Sequence, residues 1–353
     1  MESYIKGTAR SYHGGSFYHV ERTLGDLDSG KIGEYIQVHK DSLLLKNLRR
    51  QFPELEHIPK SRMLFLDIEN CGFSKDSPII SIALAHVHQG ADLRLECLFA
   101  RNPAEEKTIL KYFLDLVPGY EAFFSYNGKA FDAPRIASRA IHNGLYEREF
   151  KDLGGLLNGH SNGNGNTPES KHHDLYHLCK QEHRLVLPDG KLKTIEKLLF
   201  GFTRTNDLLS EDIPKVYYEY VYGRKRIINR VIADRSLWKK CLKKAESFRG
   251  SNMPPEKTDE RVRAYAQSLY DGLFVNQASI DAETGEFESF KGAYVDEYSP
   301  GERINEGQRK ADMARLIHHN LLDTITIAGI LCYLCSACPG EPIKETEKDA
   351  LPF

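Results

Sequence analysis

Met63-Leu-Phe-Leu-Asp67-Ile-Glu69 is an apolar run that ends in a pair of acids. The run has strand length, and Cys71-Gly72 follows it, so the pattern predicts a buried strand. Side chains two apart on a strand share a face, so Asp67 and Glu69 project together at its C-terminal end. Two carboxylates beside a buried strand are costly unless water, hydrogen bonds or a cation compensates them. For Asp-x-Glu taken alone, acids facing solvent at a strand end is an equally good reading.

Two further stretches shift that balance. In Ser125-Tyr-Asn-Gly-Lys-Ala-Phe-Asp132, residues 122–126 read as a short strand and 134–140 as a helix. Pro134 suits that helix's first turn, and Asp132 lies at its start, where an N-cap role is its ordinary use. Asn127 before Gly128 is an ordinary turn residue. In His318-His-Asn-Leu-Leu-Asp323, a helix is expected over about 311–334, and His319 and Asp323 share a face at four-residue spacing. A surface His/Asp pair is common. Three ordinary readings holding together, in this order, is less economical than one shared site.

These residues carry a family resemblance. Asp67-x-Glu69, Asn127-x-x-x-Phe-Asp132 and the late Asp323 resemble the DnaQ-like exonucleases of the RNase H-like fold, with four acidic ligands. The YprB-type branch is the closer likeness. It is carried by 124–134, by His173-Asp174-Leu175, by Leu192-Lys-Thr-Ile-Glu196 through Gly201, by Ile213-Pro214-x-x-Tyr217 and by His319-Asn320-x-x-Asp323. The resemblance spans about 60–223 and 310–335. It implies Asp67, Glu69, Asp132 and Asp323 as ligands of two Mg²⁺ or Mn²⁺ ions, the choice that carboxylate oxygens favour. Two ions about 4 Å apart would clamp a scissile phosphate. A histidine near the last Asp would be the general base, since its pKa lies near neutrality. One class of the family places a His five residues before the Asp, and the other a Tyr four before it, a Tyr that this chain lacks. Here His318 and His319 occupy those spacings. On a helix four residues give about 40° of offset and five about 140°, so His319 is preferred and His318 stays open. Asn127 would contact the terminal nucleotide or a ligand. Asp174 opens a helical stretch, 175–180, as a cap or an outer support.

The chain has 353 residues and a formal net charge of −2, so any attraction for phosphate must be local. A local basic stretch exists between Arg224 and Arg249, with Lys239, Lys240, Lys243 and Lys244 beside apolar residues at helical spacing. It reads either as a phosphate-tracking wall with Trp238 as a stacking platform, or as a solvated helix face with Trp238 in the core. Residues 224–305 depart from the branch's pattern, and would bind substrate, a helicase or repair partner, or a second copy of the chain. No apolar run reaches membrane-spanning length and the first residues form no leader, so the expectation is a cytoplasmic protein. Seven cysteines then suggest free thiols. Cys332-x-x-Cys335-x-x-Cys338 has a spacing seen in iron–sulfur ligation, and also suits small residues on an apolar helix. His172, His173 and His177 are read as loop and helix-surface histidines before a zinc site.

The fold expected is α/β: an RNase H-like mixed sheet with helices on both faces and a mainly helical insertion. An antiparallel meander of about 63–69, 79–87 and 93–99 should precede strand 122–126. The organisation expected is an N-terminal extension over 1–60, a nuclease domain over 61–223 and 306–338, an insertion over 224–305 and a tail over 339–353. A loop is expected over 154–170. The favoured function is a 3′→5′ exonuclease on single-stranded or frayed DNA ends, in repair or nucleic-acid turnover. The alternatives are RNA trimming and a catalytically silent module that recruits a repair partner.

Overall fold

The computed structural model describes residues 3–39, 52–55, 57–72, 77–87, 93–145, 172–182, 190–205, 207–210, 212–224 and 303–336. Contacts divide the chain into two compact units, Met1–Val221 with Gly307–Phe353, and Tyr222–Glu306. In the second unit, Arg224 and Arg303 form an antiparallel bridge and the Ile304 N–H donates to the Gly223 carbonyl at 3.0 Å. The basic stretch with Lys239, Lys240, Lys243, Lys244 and Trp238, the loop over 154–170, the tail and Cys338 lie outside the described residues.

The first unit is built on a seven-stranded mixed sheet. Its strands are β1 (Thr8–Tyr12), β2 (Gly15–Thr23), β3 (Met63–Asn70), β4 (Ile79–Val87), β5 (Leu93–Phe99), β6 (Ala122–Ser125) and β7 (His172–Asp174). The spatial order is β1-β2-β5-β4-β3-β6-β7. β3, β4 and β5 form the expected antiparallel meander, and β6 and β7 add in parallel beyond β3. Central strands covered on both faces read as continuous apolar runs, as β3 and β4 do.

Two strands of the sheet, β1 and β2, come from the N-terminal side of residue 60. β2 pairs with β5 from Tyr18↔Phe99 to Thr23↔Arg94, and β1 pairs with β2. His13 and Gly14 join these two strands with φ of 44° and 80°. Two positive-φ residues make the mirror-image turn that matches strand twist in a two-residue hairpin.

Helices cover both faces. On one lie α1 (Gly30–His39), α4 (Leu175–Glu182), α5 (Leu192–Phe200), α6 (Ile213–Tyr222) and α7 (Glu306–Ser336). On the other lie α2 (Glu106–Leu116) and α3 (Asp132–His142). α7 is longer than the periodicity predicts at both ends. Met313, Leu316, Leu321, Ile325, Ile327 and Ile330 are buried along it. A helix apolar on nearly all sides belongs in a core rather than on a surface. Cys332 and Cys335 are part of that core, and burial pushes the Cys332 thiol up to about 12. Among the described residues no helix is long and apolar enough to cross a membrane.

Candidate metal and catalytic site

β3 supplies the first two acids. Alternation along the strand puts Leu64, Leu66 and Ile68 toward α2 and α3, and Met63, Phe65, Asp67 and Glu69 toward α7. β6 stops at Ser125, after pairing with β3 only as far as Phe65. The Ile68 N–H lies past the end of that ladder. Asp132 takes it, accepting through Oδ1 at 3.2 Å. The N-cap position of α3 belongs to Phe131, so Asp132 is the first helical residue and not the cap. The intervening turn is tight. Asn127 has a φ of 61°, and a Cβ on Gly128 would fall 2.3 Å from Ser125 Oγ and 3.0 Å from Asp132 Oδ2. Glycine is the residue that permits this approach.

Asp174 fixes the same turn. It accepts from the Asn127 N–H at 2.7 Å, the Lys129 N–H at 3.1 Å and the Tyr176 N–H at 3.2 Å. One carboxylate thus holds the turn before Asp132 and the start of α4. His172 lies beside Ser125 Oγ at 2.6 Å. His173 stacks on Phe124, with ring centroids 5.3 Å apart, and burial lowers it to about 4. These two histidines are strand residues of β7 rather than loop residues.

α7 brings the remaining groups. Asn320 donates through Nδ2 to Asp67 Oδ2 at 2.6 Å, and Ser81 Oγ donates to Asn320 Oδ1 at 2.7 Å, which sets the amide's orientation. His319 Nε2 stands 3.4 Å from Glu69 Oε1 and 3.6 Å from Asp323 Oδ2. The other ring nitrogen, Nδ1, is 2.6 Å from Asp207 Oδ1. His318 is half-buried one residue away, where Asp207, Arg204 and Asp28 act on it together with His319. Ligand atoms of Glu69, His319 and Asp323 lie within 4.8 Å of one another.

Arg204 and Asp207 are absent from the motifs the sequence singles out. They follow Gly201, whose left-handed φ of 59° ends α5. A loop Arg-Thr-Asn-Asp has nothing unusual in it as sequence. Packing gives it meaning. The Arg204 guanidinium pairs with both Glu196 and Asp323, and Nη1 lies 3.6 Å from Asp207. Thr326 Oγ1 also donates to Glu196. The Arg204 and Glu196 side chains are 2% and 1% exposed. Removing one partner of a buried pair strands the other charge. Arg204→Ala is therefore expected to cost about 3–5 kcal/mol. Chemical denaturation would measure it, and a loss below about 1 kcal/mol, the scale of an exposed pair, would contradict the network.

The electrostatics of the cluster are strained in one direction. Burial, and then the charges of Asp323, Asp132 and Glu69, hold Asp67 well above the usual carboxylate range. Burial raises Asp132 to about 7, against the Ile68 N–H, with Glu69 adding to the rise. Burial also raises Glu69, opposed by His319 and Arg204. At His319 burial works against the charge, but Asp323, Asp207 and Glu69 outweigh it and raise the ring to about 10. Buried and half-buried acids gathered this closely suit a hard divalent cation, which favours oxygen ligands and removes their repulsion. Asp67, Glu69, Asp132 and Asp323 fit that need by their donor chemistry.

Residues 64–233 match the family model of the RNase_H superfamily. α7, with His319 and Asp323, lies beyond the matched segment. The uncharacterized protein YprB of Bacillus subtilis (strain 168) is 24% identical over 167 residues, which is 47% of this chain and 36% of that protein. The chain therefore spans about a third of the length of that relative. The mixed sheet and the matched segment agree: residues 64–233 are similar to the RNase_H superfamily, and part of the chain is similar to YprB.

Proposed function

We propose that the chain is a metal-dependent 3′→5′ exonuclease acting on single-stranded or frayed DNA ends, in repair or nucleic-acid turnover. The carrying observation is the convergence of Asp67 and Glu69 from β3, Asp132 from α3 and Asp323 from α7, with His319 beside them. The superfamily match supports nucleic-acid hydrolysis. Polarity and the preference for DNA rest on the resemblance to the DnaQ-like enzymes.

Asp67, Glu69, Asp132 and Asp323 would hold the ions. Mg²⁺ or Mn²⁺ bound there supplies charge neutralisation at a phosphate and a more acidic water. Asn320 keeps Asp67 oriented, and Arg204 does the same for Asp323. With cations beside Glu69 and Asp323 offsetting the negative charge that raises the ring, His319 would take the proton of the attacking water at Nε2, the atom facing those acids. Asp207, on Nδ1, fixes the ring and stabilises the imidazolium that forms. Asp174 steadies the turn from which Asn127 would meet the terminal nucleotide.

The basic stretch over 224–249 is proposed as the phosphate-tracking wall. Replacing Lys239, Lys240, Lys243 and Lys244 with Gln is expected to weaken DNA binding and flatten its salt dependence, since each lost phosphate contact releases about one fewer counterion. Cleavage of a very short oligonucleotide should change less. Fluorescence anisotropy over a salt series measures this. An unchanged slope would remove the segment from the substrate path and favour docking of a repair partner or a second copy of the chain.

A further inference from the structure

A second cluster of metal-ligating side chains lies on the sheet face opposite the four acids. Register puts it together. Glu21 on β2 stands directly opposite Glu96 on β5, and His19 is two residues from Glu21 on the same face. On the other side of β5, Leu84 faces Glu96, and His86 is two residues further along β4. His86 therefore shares its face with Leu64 and Leu66, while Asp67 and Glu69 point the other way.

The contacts are close. His19 Nε2 is 2.9 Å from Glu96 Oε2, and His86 Nε2 is 3.3 Å from Glu96 Oε1. Ligand atoms of His19, Glu21 and Glu96 lie within 4.8 Å of one another. Neighbouring ligands on a tetrahedral zinc ion, with bonds near 2.0 Å, are separated by about 3.3 Å. The His19 side chain is 2% exposed and that of Glu96 14%.

His86 is the residue that ordinary hydrogen bonding leaves unsatisfied. Its Nδ1 lies 2.6 Å from the Tyr120 hydroxyl. Its buried Nε2 has no hydrogen-bond partner, although a carboxylate oxygen is 3.3 Å away. If the phenol donates to Nδ1, the ring proton sits on Nε2 as a buried donor without an acceptor in line. If Nδ1 donates to the phenol, the Nε2 lone pair faces a carboxylate. A cation on Nε2 resolves the second arrangement, and Tyr120 becomes the outer partner that fixes the tautomer. Glu21 opposite Glu96 adds a cross-strand pair of like charges, which is unfavourable without a positive partner. Arg10, whose guanidinium lies 4.6 Å over the Tyr112 ring, approaches His19 Nδ1 at 3.4 Å and would have to turn from it when that nitrogen carries the proton.

We propose that His19, His86 and Glu96, with Glu21 at the rim, form a binding site for zinc that ties β2 to β4 and β5. Two imidazoles with carboxylates suit this borderline ion, whereas the all-carboxylate centre suits Mg²⁺ or Mn²⁺. The competing account is a doubly protonated His86 in a plain ion pair with Glu96, with no cation.

Metal-stripped full-length protein, equilibrated with Zn²⁺ and analysed by mass spectrometry, tests the proposal. Asp67→Asn, which weakens the acidic centre, should still take up one equivalent. His86→Gln and Glu96→Gln should each bind one equivalent less than the wild type. Zn²⁺ should raise the melting temperature of Asp67→Asn but not of the double variant Asp67→Asn with His86→Gln. Should Glu96→Gln fail to fold, half-buried His86 still provides a mild variant. Equal zinc uptake by wild type and His86→Gln, or no uptake by Asp67→Asn, would overturn the site.

Discussion

Asp67→Asn and Asp132→Asn are each expected to lower nuclease activity to the level of the enzyme in EDTA while leaving the fold intact. Changing outer partners of metal ligands costs about 10–100-fold, so removing a ligand's charge should cost more than about 100-fold. The fold should survive because the substituted oxygens keep their structural bonds. An asparagine oxygen at 132 still accepts from the Ile68 N–H, and one at 67 still accepts from Asn320 Nδ2. Without metal, Asp67→Asn should melt at the same temperature as the wild type or higher, because burial and three neighbouring acids already disfavour that charge. Activity assays with melting curves in EDTA measure both effects. A large drop in melting temperature would mean that Asp67 serves the fold through contacts other than these.

His319→Ala is expected to reduce turnover by about 10²–10⁴-fold, the usual worth of a positioned general base. Mn²⁺ binding should persist, because the four acids remain. His318→Ala should be milder, since His319 is the ring whose Nε2 faces Glu69 and Asp323. Asp207→Asn tests the same arrangement from behind. It should lower kcat with little change in KM, because Asp207 touches the ring and not the four acids' side of it. Equal losses for His318→Ala and His319→Ala would contradict the assignment of roles.

The two histidines show where sequence reasoning stops. Adjacent residues on a helix point about 100° apart, so only one of them can face the acids. Which one depends on where the helix begins and how it is rotated. α7 starts at Glu306, well before either, and its buried apolar residues set the rotation. The meander is readable because β3 and β4 are long apolar runs and β5 alternates apolar with polar residues in its first half. β1 and β2 were not, because β1 is exposed and polar and its turn, His13-Gly14, lacks the usual Asn-Gly or Asp-Gly signal. β7 hid for the opposite reason: His172-His173-Asp174 is polar in letters and buried in fact. Arg204 and Asp207 act through partners far away in sequence, such as Asp323 and His319, and no local pattern announces such contacts.

Substrate class is the remaining link between site and function. Recognition of a 2′-hydroxyl depends on pocket detail, so DNA and RNA are separated by assay. End-labelled single-stranded DNA, duplex DNA and RNA, each incubated with Mn²⁺ in the presence and absence of EDTA, should be compared for wild type and Asp132→Asn. The wild type should shorten single-stranded DNA stepwise from its 3′ end, and neither Asp132→Asn nor the chelated enzyme should. Shortening of RNA in preference to DNA would change the substrate and keep the site. No cleavage of any of the three, or cleavage that persists in EDTA or in Asp132→Asn, would contradict a metal-dependent nuclease built on these acids.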